Sequence, residues 1–134
     1  MAEDETENRY IAARDDESSN RVWNLYYDYQ THNFAFSAIK GATEFKVYDG
    51  GTETIECDTW YHVVATYEYD GSDSQIKIYV DGTEYNSGTL AGFGPLNISS
   101  SADMYVGKRN IAEDSYLEGI VDELRIYSRV LTET

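Results

Sequence analysis

The side chains in this sequence best equipped for chemistry are its carboxylates, 25 in 134 residues, against two histidines and a single cysteine. Retaining glycoside hydrolysis uses two carboxyl groups about 5 Å apart, one as nucleophile and one as acid, and the alternation of a β-strand can place such a pair. The nearest candidate is Glu68-Tyr69-Asp70-Gly71-Ser72-Asp73. It fails, because Asp70 already belongs to a turn, so this stretch reads as a solvated loop. Nucleophilic catalysis fares no better. His32 falls in a polar run between two strand candidates and reads as a solvated loop residue, and His62 reads as a hydrogen-bonded residue on an outer strand face. Cys57 reads as a small core or edge residue two positions after Ile55. No Ser/His/Asp or Cys/His arrangement follows from these positions.

Metal binding and sugar binding have more to work with. Alternation puts Asp122 on the same strand face as Ile120, Leu124 and Ile126, a face expected to point inward. A carboxylate there must find an Arg, backbone N–H groups or a cation, since burying an unpaired charge costs roughly several kcal/mol. Asp70, Asp73, Asp114 and Asn110 offer the oxygen ligands that Ca²⁺ prefers, but their spacing matches no EF-hand and suits solvated loops. Sugars are held by flat aromatic faces with amides, carboxylates and hydroxyls to fix the ring. On the expected outward strand faces lie Asn24, Tyr26, His62, Thr66, Lys77 and Tyr79, a candidate lining for a shallow groove. Each is also ordinary on a sheet face, where Tyr and Thr favour cross-strand packing.

The elements that would position these residues are strands. The stretch 60–82 divides into two runs rich in β-branched and aromatic residues, 60–69 and 75–80, around the polar turn 70–74. Ile76, Ile78 and Val80 share one face of the second run, and Asp81-Gly82 supplies a further turn that needs positive φ. Val63, Ala65 and Tyr67 form the apolar set of the first run. Upstream, 9–14 is a short strand candidate, and 22–30 alternates so that Trp23, Leu25, Tyr27 and Tyr29 face the core. Strand candidates 34–40, 43–48 and 52–57 follow. Downstream, 83–89 is an edge strand, 90–103 a surface loop, and 104–108 and 117–127 the closing strands, with Val130 or Leu131 tucked against them. Residues 1–8 are charged without apolar period and read as a disordered acidic tail.

Thirteen tyrosines, one proline and little helical periodicity place the chain in the all-β class. At net charge −15, and with no basic stripe, it is unsuited to nucleic acid. No apolar run has the length of a membrane span, and the N-terminus lacks a signal-peptide pattern, so no membrane partner is expected. The acidity suits cation binding, a salty habitat or solubility alike. The triplet Asn97-Ile98-Ser99 is a glycosylation sequon of a kind that arises by chance.

The run Trp60-Tyr61-His62-Val63-Val64-Ala65-Thr66-Tyr67, the loop Tyr69-Asp70-Gly71-Ser72 and Ile76-Lys77-Ile78-Tyr79-Val80-Asp81-Gly82-Thr83 resemble the central hairpin of laminin G-like modules. These belong to the concanavalin A-like lectin/glucanase jelly-roll superfamily. Tyr105-Val106-Gly107-Lys108-Arg109-Asn110 and the stretch from Leu117 through Gly119-Ile120-Val121-Asp122-Glu123 to Thr132 resemble the end of the same domain. The resemblance implies an antiparallel β-sandwich, a concanavalin A-like jelly roll, over residues 9–134 as a single domain. It departs at the front, where two further strands of such modules have no counterpart, so another chain, a symmetric copy or a rearranged N-terminus is expected to cover the gap.

For function, the resemblance implies a non-catalytic recognition module, binding carbohydrate or a glycosylated surface, and usually part of a larger extracellular or cell-surface protein. In several such modules the aspartate matched by Asp122 helps to hold a structural calcium near the N-terminal strands. A protein–protein adhesion or assembly module, completing its sheet with another chain or as a homo-oligomer, is the alternative. A glycoside hydrolase is the remote one, since the superfamily's E-x-D-x-E or E-x-D-x-x-E run is not met where this chain ends in Asp73.

Overall fold

The computed structural model describes residues 7–16, 18–50, 55–97, 99–109 and 115–131. Its strands are β1 (Arg9–Arg14), β2 (Trp23–Asp28), β3 (Asn33–Lys40), β4 (Thr43–Tyr48), β5 (Val63–Tyr69), β6 (Asp73–Val80), β7 (Thr83–Ala91) and β8 (Met104–Val106). They form a five-stranded sheet in the order β4-β3-β2-β1-β8 and a three-stranded sheet in the order β5-β6-β7. All ladders in both are antiparallel. The two sheets stack as the β-sandwich that the strand pattern and the jelly-roll resemblance imply.

The hairpin of β5 and β6 forms as its composition dictates. Asp81 and Gly82, at φ 50° and 81°, take the left-handed conformation of the tight turn into β7. The Asp81 carboxylate accepts a hydrogen bond from His62 N–H at 2.8 Å, which pins the start of β5 to the end of β6. Ile76, Ile78 and Val80 point into the core against Tyr27, Phe34, Phe36 and Val47. Trp23, Leu25 and Tyr29 pack on the same cluster, so the inward face of β2 is the expected one. The open edge of β7 also fits the sequence pattern.

The small sheet does not cover the large one evenly. The backbones of β6 and β7 come closest to β4 and those of β5 and β6 to β3; β2 meets the small sheet through side chains such as Tyr27, and β1 and β8 have no such close approach. On those three strands Ile11, Trp23 and Leu25 are only partly buried, and Met104 and Val106 are exposed.

Here the structure corrects the closing-strand expectation. The stretch 117–127 is not a strand; apart from one bridge between Tyr116 and Tyr10, the described residues after Val106 join no ladder. Val130 and Leu131 are exposed rather than tucked against the sandwich. The physical reason is the missing partner: alternation forms a strand only where a neighbouring edge accepts its backbone and an opposing layer its side chains. Cys57 is likewise exposed, and Ile55, Glu56 and Cys57 are not in a strand; the remaining positions of the 52–57 candidate lie outside the described residues.

Candidate functional site

The six sugar-site candidates do not come together, Lys77 lying beside Thr66 on the small sheet. Asn24 and Tyr26 lie on β2, on the outward face of the large sheet, and Thr66 and Tyr79 on β5 and β6, on the outward face of the small sheet. His62 is exposed just before β5. No single groove joins opposite faces of a sandwich. Asn24 and Tyr26 are moreover buried. Tyr26 stacks on Tyr10 with ring centroids 5.3 Å apart, and burial, followed by the Glu44 carboxylate, pushes its phenol well above the ordinary range.

Asn24 belongs instead to a polar network centred on Asp15, between β1 and β2. Asp15 is fully buried and accepts a bidentate pair of bonds from Arg21, Nε to Oδ1 at 2.8 Å and Nη2 to Oδ2 at 2.9 Å. Asn24 Nδ2 donates to the same Oδ2 at 2.7 Å, and Arg109 Nη1 lies 3.7 Å from it. Alternation gives no warning of such a residue just beyond a strand; the signal available was an Asp with an Arg six positions on.

Asp122 is not inward-facing. Its carboxylate is exposed and accepts the Glu123 N–H at 2.8 Å, with Glu123 at φ 54°. No group of three or more His, Cys, Asp or Glu side chains disposed to hold a metal exists among the described residues. The described residues therefore do not fit a calcium site at Asp122; Asn110 and Asp114 lie outside them. Asp70 caps its own turn: hydrogen bonds from the backbone N–H of Asp73 and then of Ser72, both at 2.8 Å, hold its carboxyl below the ordinary value. That is a structural task, and it keeps Asp70 out of any catalytic pair with Glu68. His32 is an exposed loop residue whose ring Nδ1 meets the Tyr27 hydroxyl at 3.0 Å.

A shallow concavity lies elsewhere, at one end of the sandwich. A cleft of about 280 Å³ is lined by Ser19 and Arg21 before β2, Lys40 and Gly41 at the β3–β4 turn, and Pro95, Leu96 and Asn97 after β7. Each wall is anchored in the fold. Phe93 is buried against Phe45 and Tyr67, at 5.8 Å and 6.2 Å between centroids, and the hydroxyls of Tyr67 and Ser74 both bond the Gly94 carbonyl. Lys40 Nζ donates to the Phe93 carbonyl at 3.1 Å and sits where a Cβ on Gly94 would stand, 2.8 Å away. Gly94 also holds φ +85°, a backbone conformation that favours glycine there. Arg21 is fixed by Asp15 on the opposite wall.

The cleft thus presents a hydroxyl, an amide and two cationic donors around a Pro95–Leu96 apolar patch. Lys40 has no carboxylate partner among the described residues, whereas Arg21 is held by Asp15. The sequence reading missed the site because its residues come from three separate connections, and only the fold brings loop ends together.

Residues 1–134 match a laminin G-type family model described as the concanavalin A-like lectin/glucanases superfamily. No curated protein and no solved structure matches the chain.

Proposed function

Since the chain belongs to the concanavalin A-like lectin/glucanases superfamily as a laminin G-type binding module, we propose that it is a non-catalytic carbohydrate-recognition domain that holds its sugar in the cleft at the end of the sandwich. The cleft itself carries the reading. Its volume lies just below the roughly 300–1,000 Å³ of drug-sized ligand sites, the scale of one sugar ring rather than a chain. Pro95 and Leu96 offer apolar surface to the CH side of a pyranose, and Ser19, Asn97, Arg21 and Lys40 offer donors to its hydroxyls. The described residues that line the cleft include no carboxylate pair of the kind glycoside hydrolysis uses. The sheet faces are poorer candidates, since Asn24 and Tyr26 are buried and Thr66 and Tyr79 lie on the opposite face from them.

A glycan array tests this directly. The expected result is a defined set of binding glycans whose signal falls about tenfold, ~1.4 kcal/mol, in Lys40→Ala and in Asn97→Ala. An array without hits, or hits indifferent to both substitutions, would remove the cleft from the account. Secretion as part of a larger extracellular protein is proposed on the same family ground.

A further inference from the structure

Two unfinished surfaces remain in the fold, and they are complementary. One is the edge of β5, which no described residue pairs with, together with the half-covered inner face of β1, β8 and the Trp23–Leu25 part of β2. Trp60, before β5, is exposed, as are Val64, Met104 and Val106, while Ile11, Trp23 and Leu25 are only partly covered.

The other is the stretch from Leu117 to Leu131. It carries Ile120, Leu124, Ile126, Tyr127, Val130 and Leu131 in the open. Its root is fastened on the β1 side, by the Tyr10–Tyr116 bridge, a Leu117 N–H to Gly107 carbonyl bond of 2.8 Å and an Arg9–Glu118 ion pair of 3.6 Å. Beyond Glu118, the described residues hydrogen-bond only with one another, as Glu123 does with Asp122 and Arg125 with Glu123. A row of unpaired backbone groups and a free strand-forming segment are the two halves of a β-augmentation contact.

We propose that a second copy of this chain supplies the missing strand: residues 119–131 of each protomer add to the β5 edge of the other, closing a two-fold dimer by reciprocal exchange. Three observations select this occupant. Among the described residues no backbone hydrogen bond or ladder joins the edge to the segment. Each chain holds one donor and one acceptor, so an isologous pair satisfies both and leaves no open end. The charge on the contact is small although that on the chain is large: Glu118, Asp122 and Glu123 stand against Arg125 and Arg129 along the segment, and β5 carries only Glu68. In the exchanged state the Ile120, Leu124 and Ile126 face turns toward Trp23, Leu25 and Ile11, and the small sheet gains a strand over β2.

Sedimentation velocity of the 134-residue chain over a range of concentrations tests it. The expected result is a species of twice the 15.2 kDa chain mass. Leu124→Glu and Ile126→Glu should return it to the chain mass with the strand-type far-ultraviolet spectrum intact, because both side chains are exposed in the single chain. An equal mixture of ¹³C-labelled and unlabelled chains should show contacts between Ile126 and the inward β5 side chains Val63 or Ala65 across molecules. A monomer at every concentration overturns the proposal, whether its segment amides are protected by docking on their own edge or exchange freely. Open-ended growth overturns the two-fold closure, and a dimer indifferent to both substitutions overturns the exchanged segment.

Discussion

Two stretches of this molecule carry the same apolar alternation and meet opposite fates. Ile76 and Ile78 on β6 are fully buried at 0 % exposure, whereas Ile120 and Ile126 stand at 78 % and 60 %. β6 lies between two hydrogen-bonded neighbours and beneath β3 and β4; the segment after Gly119 has neither neighbour nor cover among the described residues. Alternation specifies which face a strand would bury, and only a paired edge with an opposing layer turns that preference into burial. The molecule is therefore a finished sandwich over β3 and β4 and an unfinished one over β1, β2 and β8. The outer side of the unfinished half is held by polar chemistry instead, through Asp15 and its partners Arg21 and Asn24.

The largest effect expected from this contrast comes from the finished half. Ile78→Ala should cost about 3–5 kcal/mol in chemical denaturation, the transfer term plus the cavity left between β6 and the aromatic cluster of β3. In the unfinished half, Asp15→Ala leaves the Arg21 guanidinium and the Asn24 amide without their shared acceptor; a loss of about 3 kcal/mol is expected, discounted from a fully buried pair because Arg21 is partly exposed. A loss below about 1 kcal/mol would mean that water replaces the network. Smallest of all, Ile126→Ala should move the stability of the single chain by no more than about 0.5 kcal/mol, as exposed substitutions do. A core-sized penalty measured at dimer-free dilution would show that the segment already packs on its own chain.

How much of this was legible in the sequence follows from the same contrast. The hairpin of β5 and β6 could be read because its pattern, turn residues and burial agree: Asp81 and Gly82 take the positive φ their types allow, and Ile76, Ile78 and Val80 all face the core. The inward face of β2 could be read for the same reason. Asp122 and Leu131 were misplaced because their pattern is correct for a sheet that this chain does not complete. Asn24 and Tyr26 do lie on the outward face, but that face is buried around them, and periodicity cannot tell an outward face from an exposed one. The cleft depends on Arg21, Lys40 and Asn97, distant in sequence and meeting only where loops gather at one end of the sandwich.

Hydrogen–deuterium exchange of individual amides at a concentration low enough to hold the single chain probes the central claim, an uneven sandwich, most directly. The account predicts the slowest exchange in β3 and β6, intermediate rates in β1 and β2, and exchange close to that of an unfolded chain along residues 119–131. Equal protection across all strands, extending through Ile120 to Leu131, would contradict it.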